Sequence, residues 1–240
     1  MAAISLIGFG SFVLASLIAG LRLLLLARRT RQAPEAALGA ALFLGGGVGY
    51  LLMVLAHDVL PRALAPMALR AATLCLHAGA LLLAIGTAHI FRARDAWGRA
   101  AVAAIGLALG FSYTLRMWDV HTIPAAPAVF WTDTLGSASA YAWSAVEAGR
   151  YAALLRRRLR FGLADPAVAR RIAMWSAACA AAVAIHVASG VNRFVVSEGT
   201  HPAVLAVSSA LGLGAAACLW LAFFPHGRAR AAAEPLRSAG

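Results

Sequence analysis

The chain has 240 residues, 62% of them hydrophobic and only 12% charged, with a mean hydropathy of +0.80 and a formal net charge of +12. A soluble domain has about a quarter of its residues charged, so this balance excludes an ordinary water-soluble protein and points to a membrane one. All 21 basic residues are arginine; without a lysine no retinal Schiff base can form, and the arginine-only, alanine-rich composition fits a bacterial source.

A bilayer core about 30 Å thick is crossed by roughly 20 apolar residues in a helix. Windows of that length fall at about 3–27, 36–56, 67–91, 99–117, 127–150, 168–191 and 202–224. The expected fold is therefore all-α: a polytopic seven-transmembrane-helix bundle over residues 1–226, with 227–240 as a flexible cytoplasmic tail. The first span has no basic residue before its apolar run and is too long for a signal-peptide core, so it reads as a retained helix. The second contains FLGGGVGY, with Gly45, Gly46, Gly47 and Gly49. Small residues let neighbouring backbones approach, and close packing is the default reading; a local break lining a cavity is the sharper alternative. Gly106 and Gly110 in the fourth span, and Ser208 and Gly212 in the seventh, repeat the small-xxx-small spacing.

Arginine is enriched in cytoplasmic loops. Alternating the spans puts 17 of the 21 arginines on one side, with Arg62, Arg70, Arg116 and Arg193 on the other. The N-terminus is then outside, the C-terminus cytoplasmic, and the location the bacterial inner membrane. The densest stretch, residues 151–171, holds six arginines and reads as the cytoplasmic connection between the fifth and sixth spans, with Asp165 as N-cap and Pro166 in the first helical turn. It is a candidate surface for anionic lipids and for a cytoplasmic protein partner. The arginines are scattered over four segments, which argues against nucleic acid as a partner. RRxR followed by a proline recurs at Arg28–Arg31 and Arg157–Arg160, so spans 1–3 and 5–7 are candidate parallel repeats of the kind found in transporters.

The fifth span carries the candidate ligand-binding residues. At about 100° per residue, Asp133, Ser137, Tyr141, Ser144, Glu147 and Tyr151 fall within about 120° of one another. Membrane carboxylates usually face a bundle interior or a wet cavity, although Asp133 and Glu147 also lie close enough to the two boundaries to be interfacial. Trp175, Cys179, His186 and Arg193 share a face of the sixth span, and Arg70, Thr73 and His77 one of the third. Arg70 is expected to have a counter-ion, Asp133 or Asp58. A polar pocket between spans 3, 5 and 6 follows.

Histidines and carboxylates also gather at the ends expected to lie outside. His57, Asp58, Asp119, His121 and His201 form a candidate metal set, with Glu198 nearby. His77 and His186, deeper, are candidate haem ligands. Cys75, Cys179 and Cys218 lie within spans and form no CxxC, so they read as small apolar packing residues. No phosphate loop, GxSxG or dinucleotide fingerprint is present, which gives no catalytic residue.

The segments HIFRARDAWGRA (89–100) and WSAVEAGRYAALLRRRLRFGLADP (143–166) resemble those of bacterial seven-helix proteins whose layout is similar to the membrane-sensing regions of signalling proteins. The resemblance implies a sensing role and no catalytic residue; no kinase or cyclase output domain is expected after the seventh span. Three functions follow: a small-molecule or lipid binding and sensing module, a small-solute transporter built on the 3+1+3 repeat with Asp133 and Glu147 as its carboxylates, or a metal- or haem-binding membrane protein.

Overall fold

The computed structural model describes residues 2–118, 126–196 and 199–224. Among them there is no strand, and the chain forms seven long helices: α1 (Ala2–Thr30), α2 (Ala33–Val59), α3 (Ala65–Phe91), α4 (Ala96–Trp118), α5 (Pro127–Leu159), α6 (Pro166–Val195) and α7 (Pro202–Phe223). Five of them begin with a proline in the first turn, where the missing N–H costs nothing. Asp165 caps α6 as expected, its carboxylate accepting from the Ala167 N–H at 2.7 Å.

Each helix packs on its neighbours in sequence, and α7 returns to α1, so the seven close into a ring. Helix α3 additionally packs against α5. The outside of the ring is lined by large apolar side chains such as Leu21, Leu25, Leu107, Leu135 and Val187. Polar side chains that are buried, among them Ser16, Thr73, His77, Ser112, Ser144 and Glu147, face inward. That inversion suits a lipid solvent, where polar groups must be satisfied within the protein. Six of the seven helices are long and apolar enough to cross a membrane; α5 is the exception. It is also the longest, at 33 residues, and its apolar content is diluted by the polar stripe and the arginines at its end.

Two local features differ from expectation. Helix α5 does not stop near Arg150 but runs to Leu159, because Ala, Leu and Arg are all strong helix formers. It ends where Gly162 takes φ +68°. There the Leu163 N–H donates to the Arg158 carbonyl at 3.0 Å and the Gly162 N–H to the Leu159 carbonyl at 3.1 Å, a Schellman close. Arg156, Arg157 and Arg158 are thus exposed on the last turns of a helix, and Arg170 and Arg171 on the first turns of the next, with a short turn between. Helix α2 is not broken at its glycines. It widens to π-helical turns over Leu42–Gly49 and again over Leu55–Val59.

The glycines of α2 work as close-packing positions. A Cβ on Gly79 of α3 would stand 2.5 Å from the Gly45 Cα, so the two backbones touch. Gly212 likewise lies against the Gly8 carbonyl of α1. The expectation fails at Gly110, which has nothing within 4 Å of its Cβ position and faces out of the bundle. Gly79→Val is expected to separate α2 from α3 and cost about 1–3 kcal/mol. Gly110→Ala should leave stability unchanged or slightly higher. Thermal unfolding of the two variants in detergent checks the contrast.

Candidate functional site

The inward stripe of α5 divides by depth into two polar rungs and a middle. At the first rung Asp133 meets α3 and α4. His77 Nε2 hydrogen-bonds the Asp133 carboxylate, and the Ser112 hydroxyl reaches the same oxygen at 3.5 Å. His77 is buried and its ring stands edge-on to Tyr113, centroids 6.2 Å apart. Its other nitrogen, Nδ1, is buried with no hydrogen-bond partner among the described residues. Donation to the Asp133 carboxylate places a proton on Nε2. The Asp133 side chain keeps 40% of its surface exposed, and that surface faces a cavity.

The cavity measures about 480 Å³, within the range of small-molecule sites. It lies inside the ring, toward the end where α5 and α7 begin. Asp133, Thr134, Ser137 and Tyr141 of α5 line one side; His186, Ser189 and Asn192 of α6 another. Aromatic walls come from Phe9, Tyr50, Phe130 and Tyr141. Toward the middle of the bundle it narrows at Phe12, Tyr141, Ile185 and His186, where about 20 Å³ remains. His186 lies tilted against Tyr141 there, ring centroids 5.7 Å apart. Below is an apolar void of about 30 Å³ among Phe12, Leu83, Trp175, Cys179 and Leu219.

The middle of the stripe is structural. Ser144 is buried and accepts from Trp175 Nε1 at 3.1 Å, with the Cys179 thiol at 3.6 Å. Ser176 ties the same pair of helices by donating to the Ala145 carbonyl at 2.8 Å. At the second rung Glu147, 8% exposed, accepts two hydrogen bonds from Arg92 at the end of α3, from Nε at 3.1 Å and Nη2 at 2.9 Å. Arg92 also donates to Asp95 at 3.1 Å, and its guanidinium lies 5.9 Å from the Trp97 ring centroid. The hydrogen bond to Glu147, then that to Asp95, pushes the Arg92 guanidinium further above its ordinary range, so it is a fixed charge.

The expected residues therefore separate. Asp133, Ser137, Tyr141 and His186 line the cavity, and His77 stands behind Asp133. Ser144 and Glu147 lie elsewhere on the same stripe. The expected counter-ion of Arg70 is not found: Arg70 is exposed and joins none of the ion pairs among the described residues, while Asp133 is taken by His77. Near the start of α3 a long arginine can extend its guanidinium toward water instead of needing a partner. The pocket also extends beyond spans 3, 5 and 6, since α1, α2 and α7 contribute to its wall.

Of the metal candidates, exposed His57 hydrogen-bonds the Met53 carbonyl of its own helix at 3.0 Å, and His201 Nδ1 accepts from the Ala203 N–H at 3.3 Å as the cap of α7. Asp58 is exposed in the last turn of α2. Asp119 and His121, like Glu198, lie outside the described residues. Among the described residues no group of three or more His, Cys, Asp or Glu is placed to hold a metal ion. For haem, His77 Nε2 is occupied by Asp133, and His77 does not line the cavity that His186 lines.

The sequence reading missed Arg92, Tyr50, Ser189 and Asn192. His186, Ser189 and Asn192 recur at helical spacing, a signal that was available. The Arg92–Glu147 pair spans 55 positions and has none. No protein-family model, curated protein or solved structure matches the chain. Arg92→Ala is expected to lower the midpoint of thermal unfolding more than Asp95→Ala, because it leaves Glu147 buried and unpaired. Adding Glu147→Gln to Arg92→Ala should recover part of the loss. Equal midpoints for the two single variants would contradict this.

Proposed function

We propose that the protein is a multi-pass membrane binding and sensing module that takes a small solute into the cavity beside Asp133. The observation that carries the reading is the shape and lining of that cavity: wide and polar at one end of the bundle, closed at Tyr141 in the middle. A cavity closed at the middle of the bundle favours binding over an open conducting path. Helix α5 is read as a span alongside the other six, because Ser144 and Glu147 are buried against α6 and α3 and the polar residues near its start open on the cavity. The arginine distribution supports an outside N-terminus, and in a bacterial inner membrane that orientation would turn this end of the bundle outward.

The same helix links the pocket to the opposite face. Asp133 and Tyr141 lie at one end of α5, and the exposed Arg156–Arg158 cluster at the other. A ligand that binds one tilt of α5 better than another shifts the population of that tilt, and the arginine end carries the shift to a cytoplasmic partner or to anionic lipid. Asp133 alone of the two stripe carboxylates lines the cavity; Glu147 is tied to Arg92. This favours binding over a transport path that uses both.

Access to the cavity tests the reading. In a chain whose native cysteines are replaced by alanine, Ser137→Cys should react with a membrane-impermeant maleimide added to intact cells, and Ser144→Cys should not. Labelling of Ser137→Cys only in inverted vesicles would reverse the orientation. Labelling from both sides would favour transport.

A further inference from the structure

We propose that the cavity is a site for an organic ammonium ion, with Asp133 as its counter-charge and the rings of Phe9, Tyr50, Phe130 and Tyr141 as its walls. The inference rests on the reading of this cavity as a ligand site and adds the ligand's chemical class.

The charge balance of the lining carries it. Among the lining residues Asp133 is the only carboxylate, and no arginine lies among them. The second stripe carboxylate, Glu147, is matched by Arg92 in a separate place. Among the described residues Asp133 pairs with His77 and is reached by the Ser112 hydroxyl. With Nε2–H donated to Asp133, a second proton on His77 would sit on Nδ1, which is buried with no acceptor among the described residues. His77 orients Asp133 by this hydrogen bond, and the rest of the carboxylate faces the cavity. A carboxylate inside a bundle is costly unless a cation meets it; among the described residues that line the cavity none is an arginine, and the nearby Arg193 guanidinium stands 5.7 Å from the Phe130 ring centroid.

The rest of the lining suits the same ligand. Aromatic faces attract a cation through the ring quadrupole, most strongly when water is excluded. Four aromatic residues share the cavity with Asp133, and below them the neck at Phe12 and Tyr141 is too narrow for a solute to pass. A small inorganic cation would want several oxygen ligands around it, whereas here one carboxylate stands among rings and hydroxyls. An alkyl- or arylammonium ion fills the volume, pairs its charge with Asp133 and lays its alkyl surface on the rings.

The test uses the detergent-purified full chain at about pH 8, where an ordinary imidazole is neutral. Choline and phenyltrimethylammonium are compared, by calorimetry and thermal shift, with the neutral carbon analogue of choline in which a tert-butyl group replaces the trimethylammonium head. The ammonium ions should bind and raise the unfolding midpoint, and the neutral analogue should not. Asp133→Asn retains an oxygen to accept from His77, so the bundle contact survives; it should weaken ammonium binding roughly ten- to a hundredfold. Phe130→Leu should weaken it roughly two- to fivefold. Equal binding to the Asn variant, or equal binding of the neutral analogue, overturns the ammonium class while leaving the cavity a ligand site. No binding of either ammonium ion to the unaltered chain also overturns it. The Ser137→Cys labelling then separates the two failures: labelled, the cavity reading stands without its cation; unlabelled, both fall.

Discussion

The hydrogen bond from His77 to Asp133 fixes the least apolar helix of this bundle at its wet end. Helix α5 carries two carboxylates and a cluster of arginines and would be a poor membrane segment alone. It is held by α3 at two places. His77 and Arg92 lie 15 residues apart on α3, and Asp133 and Glu147 lie 14 apart on α5. At 1.5 Å per residue these are about 22 and 21 Å, so the two parallel helices match in register over four turns. Each acid of α5 meets a base of α3 at its own depth. The ring closes around this pair, and the cavity is the space left beside the first rung.

That arrangement explains why the polar interior is uneven. Between the rungs the side chains are small or mutually satisfied: Ser144 with Trp175 and Cys179, Ser176 with the Ala145 carbonyl. Gly45 and Gly79 bring α2 onto α3. This packed waist divides the molecule into an open half with Asp133 and a closed half with Glu147. A ligand reaching Asp133 touches the helix that ends in Arg156–Arg158 and stands against the histidine that holds that helix to α3. In the proposed function, binding and helix position would be coupled through this one contact.

Much of this was legible in the sequence because lipid is a demanding solvent. Six of the helices follow from apolar length, and the inward stripe of α5 from 3.6-residue periodicity, since a polar residue facing lipid would be costly. Asp165 and Pro166 announced the start of α6. Partners were another matter. A helical wheel gives the direction of a side chain but not the rotation or register of the helix it faces. Arg70 and His77 share a face of α3, and nothing in the sequence says that the histidine rather than the arginine stands at the depth of Asp133. The extent of α5 was obscured for a related reason: arginine marks the membrane boundary but does not end a helix, and the glycine that does, Gly162, lies beyond the apolar window. The cavity itself is a product of six helices and cannot be seen in any one of them.

The account depends most on α3 and α5 being joined through His77 and Asp133. A double-mutant cycle on reversible unfolding in mixed micelles, with His77→Ala, Asp133→Ala and the double variant, measures that joint directly. The account predicts a coupling of about 0.6–2 kcal/mol, the range of hydrogen bonds between membrane helices. Additive losses in the double variant would mean that the two side chains do not sense each other, and would contradict it.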